Sequence, residues 1–190
     1  VGAGGLQVRS PEAAAADLGH WGSFGGPIDL AGDQRPNDGQ ALCFDLPVAT
    51  EAVELLGFPH ARLRVAADRR AAIVAARLCD VAPDGTSRLV TLGFLDLTHR
   101  HGHDRVEALH PGEPCSVDVA LNAVAYRLPA GHRWRLAVSS TYWPWIWPVP
   151  EPATLTLHPG SSLELPVLDP GTPTHAPPPH FAEPEHAAAP

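Results

Sequence analysis

The chain of 190 residues contains no lysine and no methionine. Its 13 basic side chains are all arginines, and the 21 Asp and Glu residues bring the formal net charge to −8. Runs of basic residues are also missing from the sequence, and an acidic chain without them is a poor ligand for polyanions. We therefore expect no nucleic acid and no membrane surface as a partner.

Long apolar runs are missing as well, because no stretch of 18 apolar residues occurs. The first residues, Val1–Gly5, carry neither an initiating Met nor a signal-peptide pattern, so we interpret the chain as a piece of a longer polypeptide. Cys43, Cys79 and Cys115 are an odd number of cysteines and lie in apolar runs. They are predicted to be buried free thiols, which favours a reducing, cytoplasmic location.

Helix-length amphipathic segments are also missing between residues 41 and 168, where short apolar runs alternate with Pro and Gly turn signals. This pattern predicts an all-β fold with antiparallel strands, arranged as a sandwich or a barrel. Ala82–Gly85, with Pro followed by Asp-Gly, predicts a tight turn between two strands. Nine strands are predicted: Ala41–Leu46, Ala61–Ala67, Ala72–Val81, Arg88–Thr98, Cys115–Leu121, Val124–Leu128, Arg133–Ser140, Thr154–His158 and Ser162–Val167.

The composition divides the chain into three parts. Residues 1–40 are rich in Gly, Asp and Pro without a sustained period, and we interpret them as an irregular lead-in. Residues 41–168 form the predicted sandwich. Seven of the 22 residues in 169–190 are Pro, so this part is interpreted as a Pro-rich tail or linker.

Nucleophilic catalysis is not indicated by any motif of the chain. A hydrolase nucleophile elbow requires Gly-x-Ser-x-Gly between a strand and a helix. The Gly-rich stretch Trp21–Gly26 contains a serine, but its spacing differs and no strand–helix unit surrounds it. We therefore predict that this chain carries no catalytic residue.

A histidine cluster offers the chemistry of a metal site. His101, His103 and Glu107 have the spacing that cupins, which are metal-binding β-barrels, use in their first motif. A cupin also needs a further histidine from a later strand, and none occurs in register. We interpret the cluster as a solvated loop and keep a cupin-like metal-binding domain as an alternative.

The aromatic residues are concentrated between Trp134 and Trp147, which hold four of the five tryptophans. Within the predicted strand Arg133–Ser140, the side chains of Trp134, Leu136 and Val138 alternate toward one face, which indicates a core strand. The rings of Trp143, Trp145 and Trp147 are predicted to pack on a neighbouring domain or on the chain's own core. A carbohydrate-binding platform built from Trp143, Trp145 and Trp147 is the alternative.

Arginines lie within or at the ends of several predicted strands, among them Arg62, Arg77 and Arg135. Cross-strand ion pairs are the ordinary partners of such side chains. We therefore expect these arginines to pair with Asp80, Asp96 and Asp118.

An ordered set of short motifs resembles one known family, the C-terminal β-sandwich domain of the X-prolyl dipeptidyl-peptidase and cocaine-esterase (CocE/NonD) serine hydrolases. The resemblance covers roughly residues 30–168. The motifs are Gly32–Arg35, Asp38–Gly39, Leu42–Asp45, Leu56–Gly57, Ala61–Val65, Ala76–Gly85, Val90–Gly93, Leu97–Arg100, Pro111–Gly112, Gly131–Leu136, Tyr142–Pro144 and Trp147–Pro152.

This resemblance implies a galactose-binding-domain-like jelly roll without catalytic residues or a cofactor. It implies partners in the same polypeptide, namely an α/β-hydrolase domain with the catalytic triad and a helical cap, and an activity on X-Pro peptide or ester bonds. Trp21 and Phe24 are then candidates for the substrate cleft. Tyr142, Trp143, Trp145 and Trp147 are candidates for the domain interface, and a homo-oligomer is left open.

Overall fold

The structure is a computed structural model that describes residues 5–15, 31–169 and 171. Nearly all of its regular structure is β-strand, and every strand pair is antiparallel. The elements are β1 (Leu6–Val8), α1 (Arg35–Asp38), β2 (Leu42–Asp45), β3 (Val53–Gly57), β4 (His60–Ala67), β5 (Ile73–Val81), β6 (Ser87–Asp96), β7 (Cys115–Ala120), β8 (Val124–Leu128), β9 (Arg133–Ser139), β10 (Leu155–Leu157) and β11 (Ser162–Glu164).

Two sheets form the layers of a β-sandwich. Sheet I contains β1, β10, β4 and β7 in this order, and β11 lies beside β10 along the same edge of β4. Sheet II has the order β2-β9-β5-β6, and β3 pairs with β8 as a separate ribbon. One apolar core contains side chains from both sheets, which confirms the predicted antiparallel β-sandwich.

Alternation along the strands explains how the core is filled. In β7, Val117 and Val119 are buried in the core, while Asp118 between them is exposed. In β9, Trp134, Leu136 and Val138 all belong to the core, as their period of two predicts. The predicted turn after β5 is also present, because the Gly85 N–H donates to the Ala82 carbonyl at 2.9 Å.

The nine predicted strands all occur, although most are shorter than predicted. Two further strands, β1 and β3, were not predicted. Strand β1 consists of three residues and pairs with β10 at the edge of sheet I, with Leu6 opposite Leu157. Three residues are too few for a periodic signal, so only the partner strand shows that residues 6–8 are extended. The division of the chain at residue 40 stays a prediction.

The outer faces of the two sheets differ in what covers them. All nine residues of β5 are buried, so the face of sheet II that points away from the core is also covered. A second apolar cluster lies there and joins Ala75 and Leu92 of the sheet to Ala15 and Tyr142. Described residues from before β2 and after β9 therefore form a third layer on this side.

The cysteines follow the prediction in part. All three are free thiols, and Cys79 is buried, which raises its pKa to about 12. Cys115 is half-buried, but Cys43 is exposed, so the prediction of a buried thiol was wrong there. Cys43 lies on β2 at the edge of sheet II, where the alternating pattern leaves one side open. Among the described residues, no helix is long and apolar enough to cross a bilayer.

Candidate docking surface

The aromatic segment, residues 142–148, follows β9 and lies on the outer side of sheet II. Its first turn is closed by the N–H groups of Trp145 and Ile146, which both donate to the Tyr142 carbonyl at 2.9 and 3.1 Å. The Trp143 carbonyl accepts a hydrogen bond from the Ala15 N–H at 3.1 Å. Backbone contacts from an earlier part of the chain therefore hold the aromatic segment in place.

Tyr142 lies inside the domain. Its side chain is 1% exposed and packs in the second apolar cluster, with its ring centroid 5.5 Å from that of Phe94. Burial raises the pKa of the Tyr142 hydroxyl well above its usual range. Tyr142 was one of the four residues predicted for a domain interface, but it packs in the interior of this domain.

Two of the other three aromatic residues face outward. Trp143 is 39% and Trp147 is 78% exposed, and their rings meet edge to face with centroids 5.1 Å apart. Trp145 is half-buried and packs against the second cluster. Scattered exposed apolar residues are normal on proteins, but two indoles in mutual contact form one continuous apolar surface. The indole pair, Trp143 and Trp147, is the candidate docking surface.

A buried ion network lies beneath the aromatic segment. Arg77 of β5 is fully buried, and its Nη2 lies 3.0 Å from Oδ1 of Asp38 in α1. The other Asp38 oxygen, Oδ2, accepts a hydrogen bond from Arg135 at 3.0 Å. Arg135 also donates to Asp45 through Nε at 2.6 Å. Opposite charges therefore alternate from β5 through α1 to β9 and β2.

Arg77 connects the ion network to the aromatic segment. The guanidinium carbon of Arg77 lies 5.6 Å from the centroid of the Tyr142 ring, within the range of a cation–π interaction. Gln34 completes the surroundings of Arg77, because its Oε1 accepts a hydrogen bond from Nη1 at 3.0 Å. Arg77, Gln34 and Tyr142 are all fully buried, so the aromatic segment begins on a packed interior.

The predicted arginine partners were correct at one position only. Arg62 lies 3.9 Å from Asp118, as expected for facing residues on β4 and β7. Asp80 instead binds the Tyr126 hydroxyl at 2.8 Å and the His132 ring at 2.7 Å. Asp96 accepts hydrogen bonds from Thr98.

The carboxylates that do pair with Arg77 and Arg135 were not predicted. Asp38 and Asp45 lie in the motifs Asp38–Gly39 and Leu42–Asp45. These motifs were the one sequence signal that could have drawn attention to the two carboxylates. The pattern of charges along the chain could not connect them to their partners, because α1 has to fold back onto sheet II first.

The network predicts a specific pH dependence of stability. Hydrogen bonds from Arg135 and, more weakly, from Arg133 lower the pKa of Asp45 below its ordinary value of 3.8. The folded state therefore binds the Asp45 proton less readily than the unfolded state, and this stabilisation is lost as the pH falls below about 4. We expect Asp45→Asn to make the free energy of unfolding less steeply dependent on pH between about 4 and 2.

Urea denaturation at several pH values measures this slope. Glu54→Gln is the matched control, because Glu54 forms an exposed pair with Arg127 that lies outside this network. An acid slope reduced equally by both substitutions would contradict the assignment to Asp45.

In the described part of the chain, His101, His103 and Glu107 do not come together as a metal site. His101 Nε2 and Glu107 Oε2 lie 4.0 Å apart, whereas the His103 ring stacks against His99 with centroids 5.4 Å apart. No group of three His, Cys, Asp or Glu side chains among the described residues is arranged to hold a metal ion.

Trp21 and Phe24, the candidates for the substrate cleft, lie outside the described residues. Their predicted role stays a prediction. The described residues on either side, Ala15 and Ala31, both pack in the second apolar cluster beneath the aromatic segment.

Comparison with known protein families shows to which family this chain belongs. The family model of the X-Pro dipeptidyl-peptidase C-terminal non-catalytic domain matches residues 1–180. The chain belongs to this family. It is therefore a non-catalytic C-terminal domain of the kind found in X-Pro dipeptidyl-peptidases and cocaine-esterase-like hydrolases. The carbohydrate-binding and cupin-like alternatives find no support.

Among curated proteins, the domain is similar to the cocaine esterase of Rhodococcus sp. (strain MB1 Bresler), with 31% identity over 114 residues. This match covers 59% of the chain but 20% of the esterase.

Solved structures show the same fold at lower identity. An α-amino acid ester hydrolase has a TM-score of 0.70 at 21% identity and covers 87% of the domain. An aminopeptidase from a marine sediment Thaumarchaeota archaeon has a TM-score of 0.74 at 16% identity and covers 89%. A CocE/NonD family hydrolase from Staphylococcus aureus has a TM-score of 0.61 at 17% identity and covers 69%. The domain spans 33%, 34% and 31% of these three chains.

Proposed function

We propose that the domain packs through the outer side of sheet II on the α/β-hydrolase and cap domains of the same polypeptide, and helps to shape their active-site cleft. The observation that carries this proposal is the contrast between the two outer faces of the sandwich. The outer face of sheet I is charged and exposed to solvent. The outer side of sheet II is covered by apolar residues, and the indole pair is exposed on top of them.

The outer face of sheet I has the properties of a solvated surface. Asp118 lies 2.9 Å from His60 and 3.9 Å from Arg62, and Arg62 also pairs with Glu164 at 3.0 Å. All four side chains are more than a third exposed. Exposed ion pairs of this kind contribute little stability and are satisfied in water, so this face needs no covering protein domain.

The outer side of sheet II has the properties of an interface. Tryptophan is enriched among the residues that dominate binding energy, particularly where it is rigidly supported. Trp143 and Trp147 meet this condition, because the aromatic segment is anchored on Arg77 and on the backbone of Ala15. A hydrolase surface that covers the pair would remove two large apolar side chains from water.

The family and its relatives support a proposal for the activity of the whole polypeptide. The family is named for X-Pro dipeptidyl-peptidases, and the similar proteins are an esterase, an amino acid ester hydrolase and an aminopeptidase. The proposed parent enzyme is a serine hydrolase acting on X-Pro peptide or ester bonds. In this proposal its triad lies on the α/β-hydrolase domain, and the present domain supplies no catalytic residue and no cofactor.

Replacing the indole pair tests the docking face. We expect Trp143→Ser with Trp147→Ser to weaken binding of the domain to a separately expressed α/β-hydrolase and cap portion by about 30-fold or more, because truncating central aromatic anchors costs about 2 kcal/mol or more. Isothermal titration calorimetry measures the affinity, and sedimentation velocity reports whether the domain alone self-associates.

Arg62→Gln is the matched control, because Arg62 lies on the opposite outer face. Its affinity for the hydrolase portion should equal that of the unchanged domain. If the tryptophan variant bound as tightly as the unchanged domain, or if Arg62→Gln were the weaker binder, the assigned face would be wrong. Turnover of 4-nitrophenyl esters by the domain alone would contradict its non-catalytic role.

The cytoplasm is the proposed location of the protein. Cys43, Cys79 and Cys115 are all free thiols, a state that persists in a reducing compartment.

A further inference from the structure

A leucine-lined cleft opens at the seam where the edges of the two sheets meet. It has a volume of about 310 Å³ and lies between β1, β2 and the turn that joins β10 to β11. Its apolar lining consists of Leu6, Phe44, Leu46, Leu63, Leu136, Leu157, Pro159 and Leu163. We refer to it as the leucine cleft.

The leucine cleft reaches from the surface into the core. Leu63, Leu136 and Leu157 are buried core residues, whereas Leu6 is 38% exposed. Binding sites for small molecules are concave, mainly apolar and about 300–1,000 Å³ in volume, so the cleft has the size and lining of such a site.

A second cleft adjoins the first and has charged side chains in its lining. It shares Leu63, Gly160 and Ser162 with the leucine cleft, and its lining includes Arg62, Arg64, Ser116 and Asp118. The two clefts therefore meet at the turn between β10 and β11. A molecule seated at this turn can contact an apolar lining on one side and charged side chains on the other.

Arg64 is the unpaired charge at this junction. Arg62 is paired with Glu164 and Asp118, whereas Arg64 has no ion pair within the described part of the chain. Only its backbone is engaged there, because its N–H donates to Ser161 Oγ at 3.0 Å. The guanidinium of Arg64 is exposed, and a guanidinium pairs well with the carboxylate of a ligand through two parallel hydrogen bonds.

We propose that the two clefts form one binding site for an amphiphilic carboxylate, with the hydrocarbon tail in the leucine cleft and the carboxylate at Arg64. The single free arginine selects a head group with one negative charge. Asp118 lines the same polar cleft, and its repulsion disfavours a doubly charged phosphate. This site lies at the seam between the two sheets and does not involve the indole pair.

A titration with three eight-carbon probes tests the proposal on the full chain. Octanoate, octanol and octylamine share a tail and differ in the charge of the head group. We expect octanoate to bind most tightly and octylamine most weakly. The leucine methyl resonances of residues 63, 136 and 157 should shift in NMR spectra with all three probes, because the tail fills the cleft.

Two further comparisons measure separately how the tail and the head group contribute to the affinity. Hexanoate should bind about tenfold more weakly than octanoate, since each buried methylene contributes about a factor of three to four in affinity. Arg64→Gln should weaken octanoate binding about two- to fivefold, as expected for an exposed ion pair, and should leave octanol binding unchanged.

Ser162→Trp is designed to block the site, and Arg127→Gln is its matched control. Ser162 is exposed at the junction of the clefts, so an indole there should block all three probes without disturbing the fold. Arg127 is exposed on β8 outside both clefts, and its replacement should change nothing. Circular dichroism verifies that each variant is folded.

Three results would overturn the proposal. The first is no shift of the three leucines at millimolar octanoate. The second is equal affinity for octanoate and octanol in the unchanged chain. The third is unaltered octanoate binding in a folded Ser162→Trp variant, since the tail would then lie elsewhere.

Discussion

Arg77→Met should lower the free energy of unfolding by about 3–5 kcal/mol, because removing one partner of a buried ion pair leaves the other charge in a dry environment. The substitution preserves most of the side-chain length but removes the guanidinium. Asp38 would lose its Oδ1 partner, Gln34 would lose one of its two donors, and Tyr142 would lose the cation beside its ring.

Urea denaturation followed by tryptophan fluorescence measures this effect. The matched control is Arg127→Met, which removes the partner of Glu54 on the exposed surface of β3 and β8 and should cost less than about 1 kcal/mol. If Arg77→Met cost no more than this control, the buried network would not stabilise the fold.

A double substitution identifies the source of the loss. Arg77→Met with Asp38→Asn removes both charges of the pair, so it should be less destabilising than the sum of the two single variants. Strict additivity would show that the two side chains act independently. Part of the loss should persist, because Asp38 also accepts a hydrogen bond from Arg135.

Gly93→Ala should be the second most damaging single change. A methyl group at this position would lie 2.2 Å from the Ala120 carbonyl oxygen and 3.0 Å from the Cα of Leu121. Both neighbours are backbone atoms, so no side chain can rotate away. We expect a loss of about 3 kcal/mol, near the upper end of the usual cost of overpacking a core.

Thermal unfolding provides the measurement, with an expected decrease in Tm of roughly 6–12 °C. Gly32→Ala is the matched control, since no atom lies within 4 Å of the added methyl group there. Its effect should stay within about 0.5 kcal/mol. A Gly93→Ala variant as stable as Gly32→Ala would show that β6 and the end of β7 can separate without cost.

Gly93 shows that a motif can be recognised in the sequence although the structural reason for its glycine is not visible there. The motif Val90–Gly93 contributed to the family resemblance, but nothing in its local pattern shows why a glycine is required. The reason is that the chain after β7 crosses β6 at this residue, where the Asn122 N–H donates to the Leu92 carbonyl at 2.9 Å. This contact brings together two backbones separated by about thirty residues.

Strand β3 illustrates a different limit of local patterns. Val53–Gly57 contains adjacent apolar residues without clear alternation, so no strand was predicted there. Its extended conformation comes from pairing with β8, in which Leu55 lies opposite Tyr126. In β7 and β9, by contrast, one side faces the core and the other does not, and the period of two is visible in the sequence.

The sequence by itself determined the fold class, nine of the eleven strands, the tight turn after β5 and the family. These properties depend on local alternation, on Pro and Gly at turns, and on short motifs in order, all of which are written along the chain. The tertiary structure decided which faces are covered. It placed Tyr142 in the interior, left Trp143 and Trp147 exposed, joined Arg77 to Asp38, and opened the leucine cleft beside Arg64. Each of these outcomes depends on segments that are distant in sequence, because burial and ion pairing are set by the neighbours that folding brings together.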